Sequence, residues 1–135
     1  MTDLLSKVRW GRVLLASLAT HIANVVVVVL LIVAYTLVAV GFQRELSGGI
    51  TDPLASQIAT WPVPILTFFA AAWAARTVKP ATAALHGLLV GFLVAVSFGV
   101  LYLEPFNLWG LLLFALMIAA GLLGALVESL IGRTG

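Results

Sequence analysis

VLLASLATHIANVVVVVLLIVAYTLVAVGF, from Val13 to Phe42, runs for 30 residues without a formal charge. As a helix it would be about 45 Å long at ~1.5 Å per residue, more than a ~30 Å hydrocarbon core needs. The excess predicts a tilted helix, or first turns lying among headgroups. Val25–Val29 is β-branched and would favour a strand in water. A lone strand in lipid leaves its backbone groups unpaired, so a transmembrane helix is expected.

Outward from this segment the pattern repeats. Ile58–Ala75, Ala81–Leu103 and Phe106–Ile131 are the other apolar stretches of spanning length. Of the 135 residues, 63% are hydrophobic and only 9% charged. Soluble domains carry roughly 25% charged residues, so an outer surface facing lipid is implied. The expectation is an all-α integral membrane bundle of four transmembrane helices in a single domain, 1–135. Thr77–Pro80 and Glu104–Pro105 are short links and force antiparallel neighbours. Only Gln43–Thr51 is long enough for a true loop. Thr51 or Asp52 is expected to cap the second helix, with Pro53 in its first turn. Pro62 and Pro64 are expected to bend that helix, because each lacks an N–H. Trp61 suits an interfacial ring position.

Charge orients the spans. Lys7, Arg9, Arg12, Arg76, Lys79 and Arg133 fall on one side, and Arg44 alone on the other, beside Glu45, Asp52 and Glu104. Six against one predicts both termini inside, a multi-pass protein of the cell (inner) membrane. The basic start followed by an apolar run looks like a secretory leader. A leader's apolar region is about 7–15 residues, so an uncleaved first helix is expected. The net charge of +2 forms no dense basic patch, which argues against nucleic acid. With no cysteine, disulfides and thiolate-bound metals are excluded.

Ala83, Gly87, Gly91, Ala95 and Gly99 recur every fourth residue in the third span. Such a line of small side chains lets a second helix approach closely. The contact can lie inside the bundle or between copies. Ala70, Ala71, Ala74 and Ala75, with Gly121, Gly124 and Ala125, offer matching faces within the chain. On the first span Ser17, Thr20, His21 and Asn24 form a polar stripe expected to point inward. His21 and His86 both count as about 9–14 Å from the ends of their helices at ~1.5 Å per residue, which makes a shared site conceivable. Such a pair could ligate a haem iron or relay protons. Ordinary hydrogen bonding is the expectation, with neither histidine holding a cofactor. Glu128 counts to the inner interface, where it can pair with Arg76, Lys79 or Arg12. No carboxylate lies at mid-membrane, as a proton-coupled multidrug exporter would need, and no intramembrane lysine is available for a Schiff base. No phosphate-binding loop and no Ser–His–Asp set is present, so no catalytic residue is assigned.

Trp10-Gly11-Arg12 opens the first span, Ala74-Ala75-Arg76 closes the second, and Leu85-His86-Gly87-Leu88-Leu89-Val90-Gly91 lies in the third. In these pieces, and in its length and layout, the chain resembles the small four-helix bacterial membrane proteins of uncharacterised function. The resemblance implies neither an activity nor a site. The leading expectation is a non-enzymatic structural or accessory membrane component acting through helix–helix contacts. Its partners would be the lipid bilayer and further membrane chains, as a homo-oligomer or as a subunit of a complex. The alternatives are an oligomeric small-solute transporter or channel, and a haem- or quinone-binding anchor subunit.

Overall fold

The computed structural model describes residues 6–41, 60–76, 78–102 and 108–132. Within them the chain is helical, in four elements: α1 (Trp10–Gly41), α2 (Pro62–Ala75), α3 (Pro80–Tyr102) and α4 (Leu108–Ile131). Three of these, α1, α3 and α4, are long and apolar enough to cross a membrane, while α2 has 14 residues. The proposed caps Thr51 and Asp52, and the residues Arg44, Glu45, Glu104 and Arg133, lie outside the described residues.

The helix expected to lead into Pro62 and Pro64 and to bend there lies, before Thr60, outside the described residues. Thr60 is helical, Trp61 forms a turn, and Pro62 opens α2. In a first turn the missing N–H of proline has no intrahelical acceptor to lose, so both prolines fit the start of α2.

α4 packs along α3 and along α2, and α1 lies against α2 and α3. Glycine makes the α3–α4 contact. A methyl group built on Gly87 would run into the Gly121 carbonyl and the Ala125 side chain. One built on Gly91 would stand 2.7 Å from the Met117 carbonyl oxygen and 2.9 Å from the Ile118 Cα. The two backbones thus meet with no side chain between them, the geometry that maximises dispersion contacts in lipid. At the α2–α4 contact, Gly124 lies against the backbone of Phe68. Larger side chains fill the core: Val63, Val90, Val94, Phe98, Leu113 and Met117 are buried there.

The described helix ends gather at two ends of the bundle. The Arg12 guanidinium lies 4.9 Å from the Trp73 ring centroid, and Arg76 pairs with Glu128. The start of α1, the link from α2 to α3, and the last turns of α4 therefore share one end of the bundle. Lys7, Arg9, Arg12, Arg76 and Lys79 cluster there. At the other end Trp61 meets Trp109 edge-on, with ring centroids 5.8 Å apart.

Candidate functional site

Among the described residues, the polar side chains of α1 and α3 form a grouping with chemical potential, and each reaches its place for a different reason. Ser17 and Thr20 are buried, and each hydroxyl donates to a carbonyl of its own helix: Ser17 to Val13 and Thr20 to Ala16, both at 2.9 Å. Back-bonding of this kind satisfies a hydroxyl in lipid without any partner helix. Half of the polar stripe is therefore closed on itself.

His86 has no exposed surface. Its Nε2 accepts the backbone N–H of Arg9 at 3.0 Å, and its Nδ1 lies 2.8 Å from the Thr82 carbonyl oxygen. An N–H donor at Nε2 and a carbonyl at Nδ1 together select one neutral tautomer, protonated on Nδ1. The ring thereby anchors the lead-in to α1, where Val8 is buried against the bundle and Arg9 precedes the first helical residue. The backbone N–H groups at a helix start lack intrahelical acceptors, so His86 supplies one from a neighbouring helix.

His21 is half-buried and points elsewhere. Its Nε2 lies 2.6 Å from the Ser97 hydroxyl, which in turn donates to the Leu93 carbonyl at 2.6 Å. The hydroxyl proton is thus committed, and His21 donates from Nε2. His21 is level with Ser97, whereas His86 is level with Arg9. Eleven residues of α3 separate Ser97 from His86, about 16 Å along the axis at ~1.5 Å per residue. The two histidines do not meet. Counting from helix starts places them at one depth, but α1 begins about two turns further into the bundle than α3.

Asn24 completes the stripe. It is buried, and its Oδ1 is the one buried side-chain oxygen or nitrogen without a hydrogen-bond partner among the described residues. It also marks a boundary. Before it α1 buries Val13, Ala16, Ser17 and Thr20; from Val25 to Leu37 no residue is buried.

Of the small-residue stripe, Ala83, Gly87, Gly91 and Ala95 are buried and Gly99 is partly so. Gly87 and Gly91 meet α4 of the same chain. Arg76 Nε lies 3.2 Å from Glu128 Oε1, joining the end of α2 to that of α4. The Arg12–Trp73 contact is not foreseen from spacing, since it depends on how α1 is set against α2. Among the described residues, no three of the His, Asp and Glu side chains group as metal ligands would. No protein-family model, curated protein or solved structure matches the chain.

Proposed function

We propose that the chain is a non-enzymatic membrane component with four spans and both termini inside, and that it works through helix–helix contact. The distal half of α1 is the contacting element. The observation that carries this is the abrupt end of burial at Asn24 on a helix that continues to Gly41. α1 has 32 residues against 23 in α3, and it starts deeper in the bundle. Beyond the level of Tyr102 no described residue of α3 lies beside it. The unpaired Oδ1 of Asn24 at the edge of this region adds support, because amide side chains join helices in lipid.

The remaining polar groups of the bundle serve structure. His86 holds the start of α1, His21 ties α1 to Ser97, and the glycines lock α3 to α4. Each of these described groups is engaged within the bundle.

The test is the particle mass in mild detergent after extraction from native membranes. An assembly larger than one chain is expected, and Leu30→Trp should disrupt it while leaving insertion intact. A single chain in the unaltered protein, with no associated membrane protein, would sink the proposal.

A further inference from the structure

We infer that the outer face of α2, together with Arg12 of α1, binds an anionic phospholipid. Ile65, Phe69, Trp73 and Arg76 are spaced four, four and three residues apart, which puts them on one face of the helix. All four are exposed: Ile65 at 61%, Phe69 at 63%, Trp73 at 40%, and the Arg76 side chain at 67%. The strip is apolar from Ile65 to Trp73 and cationic at its end. From Ile65 to Arg76 the strip rises about 16 Å at ~1.5 Å per residue, close to one leaflet's share of a ~30 Å core.

The cationic end is built from two helices. Arg12 reaches from α1 to lie over the Trp73 ring at 4.9 Å. Arg76 is one turn beyond Trp73, and its Nε is engaged by Glu128. One guanidinium thus covers the indole and a second stands one turn on, where the apolar strip stops, with Lys79 exposed just beyond. Glu128 is the only carboxylate among the described residues, and Arg76 already engages it. A phosphate with acyl chains complements every part of this surface: chains on Ile65 and Phe69, the glycerol region on Trp73, and the phosphate oxygens on the arginine forks. A protein helix laid on the same strip would have to bring acidic side chains to the level of Arg12 and Arg76.

This inference rests on the chain residing in a membrane but not on what α1 contacts. Each basic group near an anionic lipid surface is worth about fivefold in binding. Native mass spectrometry of the full chain, released from micelles holding equal phosphatidylglycerol and phosphatidylcholine of matched chains, is expected to retain phosphatidylglycerol at least about fivefold over phosphatidylcholine. Arg12→Gln combined with Arg76→Gln should abolish that preference. Arg12→Gln alone, which leaves the contact to Glu128 intact, should reduce it. Equal retention of the two lipids by the unaltered protein would overturn the proposal. So would a preference that survives in the folded double variant, or a thermal stabilisation by inorganic phosphate equal to that by phosphatidylglycerol. A chain that stays in solution without detergent would instead defeat the membrane assignment itself.

Discussion

Two hydrogen bonds of opposite sense hold the His86 ring, one accepted from Arg9 and one donated to Thr82. Replacing it with alanine leaves the Arg9 N–H without its acceptor and opens a cavity at a fully buried position. A loss of about 1–3 kcal/mol is expected for a buried donor left unsatisfied. His21→Ala removes one hydrogen bond at a half-buried site, and about 0.6 kcal/mol is typical for such pairs in membranes. Thermal unfolding in detergent should therefore rank His86→Ala well below His21→Ala. The reverse order would mean that the lead-in to α1 is not anchored at His86. With both ring nitrogens of His86 engaged and His21 turned to Ser97, no Soret band is expected in the purified protein. A band lost in either alanine variant would restore the haem alternative. Gly91 makes a steric argument instead. A leucine there meets the Met117 carbonyl and the Ile118 backbone, which cannot move as a flexible side chain can. Gly91→Leu should cost at least about 1–3 kcal/mol, the usual range for overpacking. Unchanged thermal stability in that variant would show that α3 and α4 do not meet at this point.

Period-four spacing puts Gly87 and Gly91 in one line and announces close approach, yet it names no partner helix. The partner is α4 because a short link makes α3 and α4 antiparallel neighbours and Gly121 falls opposite. Glu128 and Arg76 could be paired by counting for the same reason: α4 and α2 end at one level. The relation of His21 to His86 could not be counted. α1 joins the rest through the long Gln43–Thr51 link, so its depth is set by how Val8, Val13 and Ala16 seat in the core. Nothing local in the sequence encodes that offset. Proline was ambiguous for a related reason, since the same residue kinks a helix interior and opens a helix start. The exposed half of α1, Val25 to Leu37, yields its own prediction. The chain has no native cysteine, so single cysteines placed from Val25 to Leu37 report contacts without background. Oxidation in native membranes should cross-link positions that recur every three or four residues, on one face. Cross-linking at every position alike would indicate random collision instead of a packed contact.

Across the whole molecule, the positive charges and the helix ends bear on one question, the orientation of the chain. Five described cations, Lys7, Arg9, Arg12, Arg76 and Lys79, sit at a single end of the bundle, where Glu128 is the only described carboxylate. Short cationic segments resist translocation, so this end is expected to stay in the cytoplasm. α1 and α3 then run outward, α2 and α4 inward, and the Trp61–Trp109 pair sits toward the outer interface. The crossing of α2, described from Pro62 to Ala75, is the step that topology must test. At ~1.5 Å per residue the described helix covers about 21 Å, short of a ~30 Å core. If α2 does not cross, the chain has three spans and its termini lie on opposite sides. Reporter fusions active on only one side of the membrane decide between the two. Fusions at Gly135 and within Thr77–Pro80 should both report the cytoplasm, and a fusion within Gln43–Thr51 the outside. If the fusions at Gly135 and at Gln43–Thr51 report the same side, an odd number of crossings separates Gly135 from Lys7, and α2 is not a span. Moving the charge offers a second check on the cause. Replacing Arg76 and Lys79 with glutamine should weaken the orientation signal of the α2–α3 link without altering that of Lys7, Arg9 and Arg12. A mixed population of topologies is then expected, visible as partial activity of the Thr77–Pro80 fusion on both sides. A single unchanged orientation in that variant would assign the control of topology to the start of α1 alone.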